Sequence, residues 1–292
     1  MFTVSVPATL ANLGPGYDVL GMAVDVRNSF AFEEANSWSA DGEEVQLESH
    51  LTLRTAKLAA SHFGGGIPPL RVTQVESVPR SRGMGSSATA RVAGLAAALH
   101  FSGMVIPQRD QLEFLAEQEG HPDNVVPAAI GGLTLCGHGA NGLRVMRLDA
   151  PQLAIGLLVP NHEVSTPEAR KILPDVVPHA DAVFNVSATA FLIAGLLKGD
   201  PEAIASGLED RLHQPYRAAL VGPVQRAFQA ARAAGAYGAF VSGSGSTLAA
   251  MASDADIAAR AAAAMQGVFE GAGRQGRTLV TTPGQFGLQI EA

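Results

Sequence analysis

The stretch Arg82-Gly-Met-Gly-Ser-Ser87 constrains this chain more than any other. It follows a β-like run from Leu70 to Val78 and opens a long small-residue helix, Ser86 to about His100. Glycines at 83 and 85 permit a tight backbone turn. A glycine loop that opens a helix offers several backbone N–H groups, and the positive end of a macrodipole, to an anion. Ser86 and Ser87 add two hydroxyls at its mouth. The pattern predicts a cradle for the phosphates of a nucleotide.

Composition narrows the partners. The 292 residues allow one large domain or two ordinary ones. With 47% hydrophobic and 16% charged residues, the chain has the makings of a packed soluble core. Twenty basic against 27 acidic residues leave a net charge of −7 and a pI near 5.6, which argues against nucleic acid or an anionic membrane as the main partner. The one cysteine, Cys136, cannot form a disulfide within the chain, and its run Gly-Leu-Thr-Leu-Cys marks it as a small core residue. No signal peptide is read at the N-terminus. The apolar runs read as shorter than a membrane span, so a cytoplasmic protein without a membrane partner is expected.

Along the chain, Phe2 to Ala8 alternates as a strand and leads into Ala11-Asn-Leu-Gly-Pro-Gly-Tyr-Asp-Val-Leu-Gly21. Glycines around a proline force a turn there, flanked by Asn12 and Asp18. Taken alone, it reads as a capped turn with a solvated Asp18 ahead of a ligand-facing nest. A strand is expected over 25–32, an exposed hairpin or loop over 36–48, and a helix through Leu53, Ala56 and Ala60 that stops at Gly64-Gly-Gly66. Asp110 reads as the cap of a later helix with stripe Leu112, Leu115 and Ala116. At about 100° per residue Glu119 falls on that inward face and Glu117 does not. Then comes Gly120-His-Pro-Asp-Asn-Val-Val-Pro127, an imidazole, a carboxylate and an amide in four positions, expected as a polar turn. Zinc is discounted for want of a third close ligand.

A second half is expected to begin near Pro151. It contains an apolar strand over 154–159, a helix capped by Ser165, and an amphipathic helix with Val183, Val186, Ala190, Ala194 and Leu197 that Gly199 ends. The polar break Asp210 to Arg217 precedes a helix running to about Ala234. A strand from Tyr237 enters a second Gly/Ser loop, Ser242-Gly-Ser-Gly-Ser-Thr247, and 277–281 reads as a last strand. Strands and helices alternate throughout, so the class is α/β or α+β.

Three motifs in order carry a resemblance: Val6 through Asp18, Pro79 through Ala88, and Ser242 through Thr247. The chain resembles the small-molecule kinase superfamily of galactokinase, homoserine kinase, mevalonate kinase and phosphomevalonate kinase. Glu119-Gly-His-Pro-Asp-Asn-Val-Val-Pro127, Ser165-Thr-Pro-Glu-Ala-Arg170, Asp210 to Arg217, and 11–21 resemble the homoserine kinase branch most. The likeness spans about residues 3 to 251. Two positions depart from the family pattern: Ser81 stands where an extra glycine is usual, and Ser246 where proline is common.

The resemblance implies an α+β, two-domain kinase fold: an N-terminal ATP-binding domain over 1–150 with a left-handed β-α-β unit, and a ferredoxin-like domain over 151–292. It implies ATP-dependent phosphorylation of the hydroxyl of L-homoserine, in threonine biosynthesis. The ATP phosphates would be held at Pro79, Arg80, Ser81, Arg82, Gly83, Met84, Gly85, Ser86, Ser87, Ala88 and Thr89. Mg²⁺ would be held by Glu119 and a serine hydroxyl, that of Ser87 or its neighbour Ser86. L-Homoserine would be bound through Asn12, Asp18, His121, Asn124, Arg170 and Arg217. Catalysis would involve Asn124, Glu119 and Ser87 through charge neutralisation and alignment, since the amide of Asn124 cannot accept a proton at neutral pH. A homodimer is a further expectation. Phosphorylation of another small alcohol, such as mevalonate, and a nucleotide-binding regulator without catalysis are the alternatives.

Overall fold

The computed structural model describes residues 1–140 and 142–291. Its first sheet is organised on one long strand. β1 (Phe2–Ala11) runs antiparallel to β2 (Leu20–Glu34), with one bulge between Pro7 and Ala8. The short hairpin β3 (Ser39–Ala40) and β4 (Glu43–Glu44) follows, then α1 (Leu51–His62) and β5 (Leu70–Val75). β3 and β5 pair in parallel and α1 joins them, which is a β-α-β unit of the kind the resemblance implies. Next come α2 (Ser86–Ser102), α3 (Gln108–Glu119), α4 (Pro122–Ile130), β6 (Leu133–Gly139) and β7 (Gly142–Leu148). The free edge of β2 divides: its end pairs with β5 and its start with β6. The loop that leads into α2 therefore leaves the sheet near the middle of β2, beside the turn that follows β1.

The second sheet holds β8 (Ala154–Pro160), β9 (Gly238–Val241), β10 (Leu248–Ala252) and β11 (Gly276–Thr281). Its order is β11-β8-β10-β9, antiparallel throughout, which in chain order reads four-one-three-two, the ferredoxin-like arrangement. Between β8 and β9 lie α5 (Thr166–Lys171), α6 (His179–Lys198), α7 (Pro201–Gly207), α8 (Gln214–Val221) and α9 (Val224–Ala233); α10 (Ala255–Glu270) precedes β11. β12 (Gln289–Glu291) returns to pair with β1. The strands change sheet between β7 and β8, where we propose the domain division near residue 150, with the tail of the chain crossing back.

An apolar seam joins the two sheets. Leu10, Leu20 and Met22 of the first pack in one cluster with Ile155, Leu157 and Met251 of the second. Met84, from the glycine loop, is fully buried in the same cluster. Burying such a side chain contributes about 1.5–3 kcal/mol and pins the loop to the seam.

Several expectations change. Asp110 lies in the first turn of α3 and Pro107 is its N-cap residue, since proline starts a helix without wasting a donor. Most of the expected polar turn at 120–127 is the helix α4. Pro122 sits in its first turn and Pro127 inside it. Pro127 leaves the Asp123 carbonyl without its helical donor, and that carbonyl lies against Gly21, where a Cβ would come within 1.9 Å. The single helix expected to reach Ala234 is α8 and α9, parted at Gly222-Pro223. β12 was not expected, because three residues carry no pattern. The row Val183, Val186, Ala190, Ala194 and Leu197 lies on the outer face of α6; Asn185, Ala188, Leu192, Gly195 and Leu196 face inward. At 20 residues with a mean hydropathy of 1.7, α6 is also long and apolar enough to cross a membrane by length and composition, contrary to the reading of short runs. Here it packs on α7.

Candidate active site

A cleft of about 430 Å³ runs along the seam. Its middle is the glycine loop, with Gly83, Gly85, Ser86 and Ser87 in the wall. Gly83 and Gly85 have φ of 75° and 69°, the left-handed region that glycine enters freely. Both are also pressed from behind. A Cβ on Gly83 would lie 2.2 Å from the Ser242 carbonyl oxygen, and one on Gly85 would lie 2.0 Å from Thr9 Oγ1. The second glycine motif thus braces the first, and Ser242 Oγ donates to the Gly83 carbonyl at 2.6 Å. Gly85 is the N-cap residue of α2 and supplies no side-chain cap, so the first N–H groups of α2 face the cleft mouth. Ser81, where the family usually has glycine, itself takes a φ of 53°.

The residues expected around the phosphates divide. Arg80, Ser81, Arg82 and Thr89 line the cleft with the four loop residues; Pro79, Met84 and Ala88 do not. Met84 and Ala88 face the core. Arg80 is paired with Glu76, and Arg82 donates to the carbonyls of Pro160 and Asn161 at 2.9 and 2.6 Å, tying the loop to the end of β8.

Glu119 ends α3 with its side chain 8% exposed, on the inward face, whereas Glu117 is exposed. Ser87 Oγ donates to Glu119 Oε1, and the Arg91 guanidinium pairs with Oε2. A carboxylate and a hydroxyl at the mouth of an anion cradle form a hard oxygen donor set of the kind Mg²⁺ takes. Arg91 was missed in the sequence. It lies four residues after Ser87 on the same face of α2, and that spacing was the available signal.

Beyond the loop the wall becomes charged. Arg170 of α5 grips Asp18 with two hydrogen bonds, 2.7 and 2.9 Å, and donates to the Tyr17 hydroxyl at 3.0 Å. The hydrogen bonds to Asp18, more than offsetting burial, hold the Arg170 pKa above its ordinary value. Arg217 is 2% exposed, donating to the carbonyls of Ala169 and Gly243 at 3.2 and 2.9 Å, and burial pulls its pKa down. Behind it, burial keeps His213 neutral. Its Nε2–H then donates to the Gly14 carbonyl at 2.6 Å, leaving Nδ1 toward Arg217 at 3.3 Å. Asn12, 2% exposed, donates to the Gly243 carbonyl at 3.1 Å and accepts from the Asp18 N–H at 3.0 Å. The first motif is thereby strapped to the third.

His121 and Asn124 come from the start of α4. Asn124 Oδ1 accepts from Thr9 Oγ1 at 2.8 Å. His121 Nδ1 lies 2.6 Å from Asp123 Oδ1. Burial opposes the imidazolium, yet the hydrogen bond and charge of Asp123, with Glu119 beyond, hold the His121 pKa above the ordinary range. All six residues expected at the substrate end line the cleft, and so does Asp123, which the sequence reading left out although it stands inside the quoted string. Asp18, His121 and Asp123 place ligand atoms within 4.8 Å of one another, supplying the third group whose lack spoke against a metal. Arg170, bound to Asp18, opposes a cation there. At the opposite end Asn28, His50 and Gln74 close the cleft. No local pattern in the sequence marks these three.

Comparisons with known proteins agree on the family. The family model described as GHMP kinases N terminal domain matches residues 50–132, and that described as GHMP kinases C terminal matches 192–271. A homoserine kinase of Gloeobacter violaceus is 43% identical over 258 residues, 85% of this chain and 86% of that protein. One of Trichormus variabilis is 41% identical over 282 residues, 93% and 92%. The crystal structure of homoserine kinase from Cytophaga hutchinsonii superposes with a TM-score of 0.87 at 29% identity, covering 99% of this chain and 97% of that one. Mevalonate kinase of L. major shares the fold, with a TM-score of 0.69 at 15% identity. With two braced glycine loops, a buried carboxylate at the cleft mouth and relatives of that identity along nearly its whole length, the chain belongs to the GHMP kinases, in their homoserine kinase branch.

Proposed function

We propose that this protein transfers the terminal phosphoryl group of ATP to the side-chain hydroxyl of L-homoserine, giving O-phospho-L-homoserine, a step of threonine biosynthesis. One observation carries the choice of substrate class: an anion cradle and a preformed carboxylate–guanidinium pair open on the same cleft. An α-amino acid is a zwitterion. Asp18 complements its ammonium, and Arg170 its carboxylate through the planar fork of the guanidinium. Arg217, fixed to two carbonyls, supplies positive potential from behind. A hydroxyl at the end of a short side chain would then be directed toward Asn124 and the loop.

Phosphoryl transfer needs alignment and charge compensation more than covalent help. The N–H groups at the start of α2 hold phosphate oxygens against a rigid backing. Ser87 and Glu119 would hold Mg²⁺, which when bound offsets phosphate charge. Thr9 occupies the carbonyl oxygen of Asn124, and the amide N–H₂ is left as a donor, with Asp123 Oδ1 at 3.5 Å as its partner. A donor can orient the attacking oxygen but cannot take its proton, which leaves to phosphate or solvent. A cytoplasmic protein, without nucleic-acid or membrane partners, belongs to the same reading; its one cysteine is buried and its thiol pushed up to about 12 by burial.

The test measures ADP release with ATP and either L-homoserine or mevalonate. Turnover with homoserine alone is expected. Turnover only with mevalonate would transfer the reading to another alcohol, and nucleotide binding without turnover would make the protein a regulator. An Asn124→Asp variant that gained rate with a carboxylate-like pH profile, while Asn124→Ala lost turnover, would overturn catalysis without a base.

A further inference from the structure

The backbone ladder between β2 and β5 ends at the pair Ser29 and Val75. Asn28 is the next residue along β2, 2% exposed, and its side chain takes over where that pairing stops. Its Oδ1 accepts from the N–H groups of both Ser77 and Val78, at 2.8 and 2.9 Å. Its Nδ2 donates to Thr89 Oγ1 at 3.0 Å, and the Thr89 hydroxyl donates to the Ser86 carbonyl at 2.8 Å. Ser77 and Val78 stand just before the glycine loop. Ser86 and Thr89 stand just after it, in the first turn of α2. We propose that Asn28 is a positioning residue for phosphoryl transfer: its one carboxamide clasps both ends of the glycine loop and so aims the first N–H groups of α2 into the cleft.

The bonds, not the bulk, explain a carboxamide here. A leucine would fill a similar volume, and a buried amide without partners is costly. Two backbone N–H groups can meet only the oxygen of the carboxamide, so its nitrogen must face Thr89. The clasp therefore works in one orientation.

The middle of the loop is held from elsewhere. Ser242 Oγ grips the Gly83 carbonyl, and the Thr247 N–H donates to the Arg82 carbonyl at 3.0 Å. Those contacts come from the second glycine motif and fix where the loop sits on the seam. Asn28 comes from the first sheet and fixes the two ends, with residues 79–85 between them. A loop tied at both ends has less conformational freedom to lose when an anion binds, so the clasp acts on the affinity for phosphates. Asn28 does this through the loop and needs no contact with the nucleotide.

The inference rests on the loop being the phosphate cradle, and kinetics with ATP and L-homoserine separate the two claims. Thr89→Val keeps the side-chain shape and cuts the link to α2. It is expected to raise the Michaelis constant for ATP roughly 10-fold and to leave that for homoserine unchanged. Thr89→Ser keeps the hydroxyl and should restore the parent value. Asn28→Ala releases both ends and should raise the ATP constant roughly 100-fold, with faster tryptic cleavage after Arg80 and Arg82. Both variants open one clasp, so the double variant should be no worse than Asn28→Ala alone. General destabilisation would instead lower the thermal melt, spare the ratio of the two Michaelis constants, and add in the double variant. If Asn28→Ala does not fold, Thr89→Val against Thr89→Ser decides alone. An ATP constant unchanged in Thr89→Val, or raised equally in Thr89→Ser, overturns the clasp. Gly85→Ala is the reference. If it raises the ATP constant and Thr89→Val does not, only the clasp falls. If Gly85→Ala also leaves ATP use unchanged, the loop is not the phosphate cradle, and the clasp falls with that reading.

Discussion

In the middle of the cleft, Gly83 and Gly85 turn backbone toward the open space and are pressed from behind by Ser242 and Thr9. At the charged end, Asp18 and Arg170 neutralise each other, with Arg217 and His213 packed behind them. In the proposed function the loop meets a charge with dipoles held by packing, and the pair meets it with whole charges held by other charges. The difference predicts different failures. Packing should fail when an atom is added, and paired charges when one partner is lost.

The largest effect is therefore expected from the smallest change. Gly85→Ala or Gly83→Ala drives a Cβ into Thr9 or Ser242, and turnover should fall at least roughly 100-fold, about 2.7 kcal/mol of barrier. Gly103→Ala is the control. Its φ of 68° is equally left-handed, but nothing lies within 4 Å of the added carbon. It should cost about 1–2 kcal/mol in thermal unfolding and leave turnover intact. Equal losses of turnover in both would mean that strain, not the brace, matters at the loop.

Glu119→Gln comes next. Turnover should fall by about 100-fold with a raised requirement for Mg²⁺, and binding of Mn²⁺ in its place, followed by electron paramagnetic resonance, should weaken in parallel. Glu117→Gln should change neither, because that side chain points to solvent.

At the substrate end, Arg170→Ala should raise the Michaelis constant for homoserine roughly 10- to 100-fold, about 1.5–3 kcal/mol, and leave that for ATP unchanged. Arg217→Ala should do the same and in addition lower stability by about 1–3 kcal/mol in urea unfolding, since the Ala169 carbonyl loses its side-chain donor and the Gly243 carbonyl keeps only Asn12. If Arg217→Ala unfolded no more easily than Arg170→Ala, its place behind the pair would be wrong.

The smallest effect is a pH dependence with two signs. His121 has a raised folded pKa. Its contribution to stability is fully present below 6.5 and is lost as pH rises through the folded value. His213, held neutral, does the reverse and removes stability as pH falls through 6.5. Denaturation midpoints across this range should show His121→Asn flattening the alkaline side of the profile. Flattening on the acid side instead would mean that the Asp123 partnership does not hold the proton.

Much of this was legible before any fold existed. The glycine loops and the helix start are local, because φ preferences and unpaired N–H groups belong to a few consecutive residues. The inward face of Glu119 followed from helical period alone. The likeness in three ordered motifs supplied the reaction class, and the strings 11–21, 119–127, 165–170 and 210–217 supplied six residues that line the cleft. Arg91 and Asp123 were within reach by spacing and were overlooked.

Other features were decided by tertiary contacts. Period showed that α6 carries an apolar stripe but not which side the protein covers: Asn185 turns inward because Asp210 and the Pro15 carbonyl wait there, and the valines are left outside. The residues 122–130 became a helix because Gly21 admits the carbonyl that Pro127 orphans. Among the residues expected at the phosphates, Met84 and Ala88 proved to be core and Arg82 a tie to β8. What the sequence by itself determined were the dihedral preferences, periods and motif spacings that make a cradle and name its class. What only the tertiary structure decided was which partner each polar group found, because a hydrogen bond across 100 residues depends on where the sheets bring the chain.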